Sequence, residues 1–359
     1  MCYSAQVYAD WKKFTRMFGA RMSVGEFYRT FWTRTQDLED SGDDEATAEA
    51  QEEQAASSER PAKAKKAAPS IIVPKALELA FAHPTTEQER EIKALIDAHT
   101  AHEASAFETR MFEQKTRLTK AEREIAERDA SGRKVTKQLL NEVRVANNKI
   151  GQAKRWLADL HRTELEAADS RIFPGSYCPV MVVENGELVV MPMRYQCRPA
   201  THPAFYDVKF PGTYNARRDN LEGHMWGKVF GYSHGLVIAS NFFEHVNRHK
   251  YEQRDLRPGE KEEDMVIEFQ PDGMDEMFVA CLWSRWKAPG QPDLLSFAAV
   301  TDLPPPEVAL AGHDRCIIPL KLENIDAWLR PDPKNLAAQY AILDDRERPF
   351  YEHRLAKAA

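Results

Sequence analysis

The chain has 359 residues, 43% of them hydrophobic and 29% charged, enough to bury a core and to carry unpacked segments besides. Its formal charge is −7, no run of 18 apolar residues suggests a membrane span, and Met1-Cys2-Tyr3-Ser4-Ala5-Gln6 lacks the basic and apolar regions of a signal peptide. Five cysteines without paired short spacing argue against a disulfide framework and a zinc site, so a reduced cytoplasmic chain with no metal and no cofactor is expected.

Two short amphipathic patterns come first. Tyr8, Trp11, Phe14 and Met17 recur at helical spacing, and Val24, Phe27, Tyr28 and Phe31 follow the N-cap candidate Ser23. Residues 37–59 then hold ten acids and no base, and residues 60–70 return four bases. This stretch carries −6 of the −7 and reads as a disordered linker over 37–70. The remainder is near neutral, so the acidity excludes no partner. A short apolar segment from Ile71 to Phe81 follows. Thr85-Thr86-Glu87 next begins a long helix, in which Ala104, Phe107, Met111, Gln114, Leu118, Ala121 and Ile125 alternate steps of three and four. Ser131-Gly132 breaks it, and Leu139, Val143, Ala146, Ile150, Ala153, Leu157 and Leu160 repeat the rhythm. The pair predicts an antiparallel helical hairpin with a coiled-coil seam about 60 Å long. Such an arm suits self-association or a protein partner better than chemistry.

Beyond Asp169 the texture becomes β. Residues 180–183 and 188–191 flank Glu184-Asn185-Gly186-Glu187, the signature of a hairpin with an Asn-Gly turn. Further strands are expected at 226–232, 235–240, 265–270, 277–283 and 295–301, with short extended pieces at Val308 and Ile317–Leu320. Helices are expected at 323–329 and 336–343. The predicted class is α+β: a mostly antiparallel β-sheet or barrel domain formed by residues 1–36 and 169–345. It is interrupted by the linker over 37–70 and by the inserted hairpin over 71–168, with a tail over 346–359.

Four segments carry candidate chemistry, each with a plainer alternative. Removal of Met1 leaves Cys2 with an α-amine and a thiol on adjacent carbons, able to condense with an aldehyde to an imine and then a thiazolidine ring; alternatively Cys2 is merely the second residue. The α-amine titrates near 7.7–8.0, so a useful fraction is nucleophilic at neutral pH. Tyr214-Asn215-Ala216-Arg217-Arg218-Asp219 offers two guanidinia that match phosphate, or forms a surface turn. Glu244, in Asn241-Phe242-Phe243-Glu244-His245, follows an apolar strand, where a carboxyl can act as general acid and base or sit in an ion pair. His313, in Gly312-His313-Asp314-Arg315, is a proton carrier or phosphate ligand, or a solvent-facing imidazole. Cys178, Cys197, Cys281 and Cys316 lie in apolar contexts and read as core.

Taken together and in this order, the four segments resemble the SOS response-associated peptidase (SRAP) family. Its members begin Met-Cys and carry an Asn-Ala-Arg-x-Glu motif, an aromatic-aromatic-Glu motif after a strand, and a late His-Asp/Glu-Arg motif. The likeness covers residues 2–36 and about 170–330. It implies that mature Cys2 captures ring-opened abasic sites in single-stranded DNA as a thiazolidine. Asn215 would position the amino terminus and sugar, Glu244 would shuttle protons, and His313 would assist ring opening. Arg217, Arg218, Asp219 and Arg315 would form the DNA-binding set, with Arg194, Arg198, Tyr195 and Trp226 as further candidates. Localisation would be cytoplasmic, with nucleoid association when DNA is damaged. Tyr3-Ser4 stands where the family commonly has Gly-Arg, Asp219 where Glu is usual, His245 where Trp is usual, and Arg171-Ile172-Phe173-Pro174-Gly175-Ser176 where the family has Tyr-Asn-x-Ala-Pro. Competing readings are a helical scaffold with an inert SRAP-like domain, and a hydrolase or lyase in which Cys2 acts as a peptidase nucleophile or removes Met1 autoproteolytically.

Overall fold

A computed structural model describes residues 3–36 and 71–356; Cys2 and the linker expected over 37–70 lie outside them. In chain order the elements are β1 (Ser4–Val7), α1 (Trp11–Phe18), β2 (Arg21–Met22), α2 (24–36), α3 (Lys75–Leu79), α4 (Glu87–Ala130) and α5 (Lys137–Leu160). Then come β3 (Arg171–Ile172), β4 (Tyr177–Glu184), β5 (Glu187–Tyr195), α6 (Tyr206–Lys209), β6 (Asn215–Arg217), β7 (His234–Asn247), α7 (Arg248–Tyr251) and β8 (Asp264–Pro271). The chain closes with β9 (Met277–Trp286), β10 (Leu294–Asp302), α8 (Pro306–Leu310), β11 (Cys316–Ile317), β12 (Pro319–Leu320), α9 (Ile325–Leu329), α10 (Leu336–Asp344) and β13 (Tyr351–Leu355). Among the described residues, one compact unit combines 3–30, 71–83 and 165–356, and a second combines 31–36 and 84–164.

The first unit is built on a closed sheet. β9 pairs with β10, β10 with β5, β5 with β4, β4 with β7, and β7 returns to β9. Closure leaves these five strands without a free edge. All of these pairings are antiparallel except β10–β5. The β4–β5 turn falls at Asn185-Gly186, both at positive φ as a two-residue hairpin requires. Alternate residues point into one apolar core: Cys178, Val180 and Val182 from β4, Met191, Met193 and Tyr195 from β5, Val237 and Ala239 from β7, and Phe297 and Ala299 from β10.

Strand β7 is longer than the barrel needs. Its first half closes the ring, and its register with β1 shifts between Gln6 and Val7, whose partners are Asn241 and Ala239, so Ser240 is bulged. The second half, from Phe242 to Asn247, leaves the ring and pairs with β8 on one edge and β1 on the other. β3 extends this wing beyond β1, and β13 extends it beyond β8. Residues 346–359, set apart in sequence as a tail, therefore carry a sheet strand whose first residue, Tyr351, is buried. Residues 71–83 also join this unit. Ile72 bridges to Ser176, and Phe81 packs on Trp11 and Phe27.

Two expected strands are not strands. Residues 226–232 form successive turns, because Trp226, Val229 and Phe230 recur at steps of three and one and bury together while Gly223, Gly227 and Gly231 bend the backbone. Val308 lies in the short helix α8, which begins with Pro306 at its first position.

In the second unit, Thr86 caps α4 by accepting from the Glu89 amide, and the Glu89 carboxylate accepts from the Thr85 amide at 2.7 Å. α4 runs 44 residues before Ser131 ends it. α5 packs on α4 through small and branched residues, with Ala121, Leu139, Ala146, Ile150 and Ala153 buried and Phe107 against Trp156 at 5.2 Å.

Candidate functional site

The expected site residues gather where β7, β1, β6 and the α8–β11 loop approach each other. Glu244 lies on the wing half of β7 opposite Ile267 and is fully buried. Its Oε2 is 3.3 Å from Nε2 of His313, which is itself 8% exposed. Nδ1 of His313 lies 2.8 Å from the Arg315 carbonyl oxygen, an acceptor, so Nδ1 carries the proton and donates it there. Burial pushes the imidazole down to about 4, so at neutral pH the ring is uncharged and Nε2 faces the carboxyl as an acceptor. A carboxyl and an imidazole in such a contact are the groups that acid–base chemistry uses to move a proton to or from a reacting atom.

Gly312 is what lets His313 reach this position. Its φ is +92°, and a Cβ there would stand 2.9 Å from both Lys250 Cβ and Val246 Cγ1. The loop thus rides directly on the end of β7 and on α7, which only a glycine permits. Beside it an open groove of about 730 Å³ is lined by Lys250, Gln253, Arg254, Pro304, His313 and Asp314.

Asn215 opens β6 and is buried, held by the parallel pairing of β6 with β10 at Ala299. Arg217 projects outward and makes a two-point ion pair with Asp219, at 3.0 and 2.6 Å. That pairing holds the Asp219 carboxyl below the usual carboxylate range. Arg315 approaches the same carboxylate at 3.7 Å. Arg217, Asp219 and Arg315 are therefore one cluster. Arg218 is not part of it: it pairs with Asp344 at 2.6 Å and lies over the Tyr340 ring. The further candidates are also committed elsewhere. Arg194 and Arg198 both bind Asp207 and are nearly buried, Tyr195 belongs to the barrel core, and Trp226 is 4% exposed. Cys178, Cys197, Cys281 and Cys316 are buried, and burial pushes the Cys197 thiol up to about 12.

Sequence reasoning missed the aromatic box around Tyr3. The ring meets His245 edge-on at 4.6 Å, Phe173 at 5.8 Å and Tyr214 at 6.3 Å. Ser4 is buried opposite Phe243 and accepts hydrogen bonds from Arg171 at 3.1 and 3.0 Å, while the guanidinium lies 3.8 Å over the Phe243 ring. The bulky Tyr3 and the smaller His245 thus fill one space together, and Arg171 brings a cation to Ser4 from the neighbouring strand. The signal was present as Tyr3 and Arg171 themselves, but their placement depends on strand pairing that brings Arg171 to Ser4, 167 residues away in sequence.

Among the described residues no group of three or more His, Cys, Asp or Glu could hold a metal ion, and no helix is long and apolar enough to cross a membrane. The model of the SOS response associated peptidase (SRAP) family matches residues 132–356. The chain belongs to the SRAP family. The match covers more than half of the chain, including α5 and every site residue named above except Cys2, Tyr3 and Ser4. No curated protein matches the sequence. Among solved structures, the SRAP chain is similar to a protein from Bordetella bronchiseptica at 14% identity, covering 53% of this chain and 88% of that one, with a TM-score of 0.41. It is also similar to a protein from Bacteroides thetaiotaomicron at 13% identity, covering 58% and 88% with a TM-score of 0.41. A phage-related protein from Bordetella bronchiseptica matches at 18% identity, covering 55% and 86% with a TM-score of 0.40. Membership ties this SRAP protein to the DNA-damage response and to interaction with DNA.

Proposed function

We propose that this SRAP protein captures abasic sites in single-stranded DNA covalently, through Cys2 after removal of Met1. The observation that carries the reading is the buried Glu244–His313 contact at 3.3 Å beside the start of β1. Ser4 is fixed opposite Phe243, the neighbour of Glu244, and two residues of chain extend at most about 7 Å. Tyr3 packs between Tyr214 and His245, the neighbours of Asn215 and Glu244. These contacts tether the amino-terminal end of β1 close to the acid–base pair.

The chemistry balances without a cofactor. Glu244 and His313 move protons while the closed sugar opens to its aldehyde. The free α-amine adds to the carbonyl carbon and water leaves, giving an imine. The thiol sulfur then adds to the imine carbon, its proton passing to nitrogen, and the thiazolidine ring closes. The net change is aldehyde plus aminothiol to thiazolidine plus water. Asn215 positions the amino end and sugar, and Arg217 with Arg315 binds the flanking phosphate, which has to compete with Asp219 for Arg217.

Intact-mass measurement with an abasic single strand tests this. The wild-type chain should lose Met1 and gain the mass of the strand less one water. Cys2→Ala should form no stable adduct, and undiminished adduct in that variant would overturn the mechanism. Protein that gains no mass at all, while cleaving peptides through Cys2, would favour the peptidase reading.

A further inference from the structure

The distal half of the helical hairpin is strongly basic in an acidic protein. Residues 115–155 hold twelve Lys and Arg against five Asp and Glu, a net +7 in a chain whose total is −7. Residues 87–113 of the same α4 hold seven acids and three bases. The charge is therefore segregated along one helix.

On α5 the segregation becomes a stripe. Lys137, Asn141, Arg144, Asn148, Gln152 and Arg155 are all exposed and follow one another at steps of four, three, four, four and three. At 3.6 residues per turn these positions share one face. Leu139, Ala146, Ile150 and Ala153, which are buried, occupy the opposite face. The stripe thus looks away from α4. No acidic residue falls on it between Lys137 and Arg155, so Lys137 and Arg144 lack the i,i+4 acidic neighbours that neutralise an ordinary solvated face, and the one such neighbour of Arg155, Asp159, pairs with Arg162 at 2.8 Å. Elsewhere on the arm such pairs do occur, as Arg123–Glu127 and Arg128–Glu124.

We propose that this stripe docks on the phosphate backbone of duplex DNA, independently of sequence. Its three cations span about 27 Å on a rigid rod, and duplex DNA presents one negative charge per about 1.7 Å of axis. The amides of Asn141, Asn148 and Gln152 are suitable further donors to phosphate oxygens. The stripe carries no aromatic side chain, whereas single-strand binding without sequence preference uses aromatic platforms for the bases. The partner is therefore duplex rather than single-stranded. The contact is distinct from the capture site and needs none of its chemistry.

The test uses the full chain carrying Cys2→Ala, so that no covalent step contributes, with and without K137Q/R144Q/R155Q. Glutamine keeps helix propensity near that of Lys and Arg. Binding to an undamaged duplex should weaken by roughly tenfold or more, and the slope of log affinity against log salt should fall by about 2.7, at about 0.9 per lost phosphate contact. With Cys2 intact, the same triple variant should crosslink a short abasic single strand at wild-type yield. Loss of that adduct would instead count against the domain division. An unchanged duplex slope overturns the proposal, as does a loss confined to single strands or a change only in self-association. If circular dichroism shows lost helix, R144Q alone should still lower the slope by about 0.9.

Discussion

Glu244 shows how one side chain can be placed by its neighbours rather than by its own interactions with solvent. It is fully buried on a strand, and its carboxyl meets an imidazole whose other nitrogen is committed to a backbone carbonyl. A neutral amide of the same shape keeps the packing and removes the exchangeable proton. Glu244→Gln should therefore slow adduct formation by roughly 10²-fold, the lower range for loss of a general acid or base. Affinity for an intact single strand should stay the same. Equal losses in rate and affinity, measured by quenched-flow gels and anisotropy, would mark Glu244 as structural. Glu244, His313, Asn215 and Arg217 were legible as residue types in short motifs. Tyr3 and Arg171 were not, because their roles arise from contacts across strands that the sequence separates. Arg218 illustrates the converse: adjacent in sequence to Arg217, it faces Asp344 and Tyr340 instead.

At the scale of elements, the site depends on β7 serving two sheets. Alternation predicted a strand at 235–240, but the strand runs on to Asn247 because the bulge at Ser240 turns it out of the barrel toward β1 and β8. The loop that brings His313 to this strand has a single tight point. Gly312→Ala forces a side chain into positive φ and against Val246 and Lys250. We expect a stability loss of about 1–3 kcal/mol, read as a lower urea midpoint, together with slower adduct formation because His313 is displaced. Wild-type values for both would show that the loop relaxes freely. The failed strand at 226–232 has a different origin. A short apolar run does not reveal its period when glycines interrupt it.

For the whole molecule, the helical unit should be separable from the sheet unit. His83 and Leu165, the residues on either side of 84–164, line the same cleft of the first unit, so a short linker can join them. Residues 71–83 belong with the sheet and must be kept, since Leu77 and Phe81 are buried there. Replacing 84–164 with a Gly/Ser linker should leave adduct formation with an abasic single strand at wild-type yield, while affinity for undamaged duplex falls. A shortened chain that keeps its near-ultraviolet circular dichroism but forms no adduct would show that the arm is part of the capture site.

The sequence by itself determined the family, the α+β class and the long helical hairpin, and it named the candidate residues of the proposed site. Each of these is written in local information: a 3.6-residue period over many turns, an Asn-Gly hairpin, a Cys at position 2, and three short motifs. Only the tertiary structure decided that five strands close into a ring and that β13 completes the wing. It also decided that Arg217, Asp219 and Arg315 form one cluster from which Arg218 is absent, and that Glu244 meets His313. Those outcomes depend on strand register and on which side chains compete for the same buried space. Register is set by pairings between distant segments, and a shift of one residue would turn every side chain on the strand to the other face.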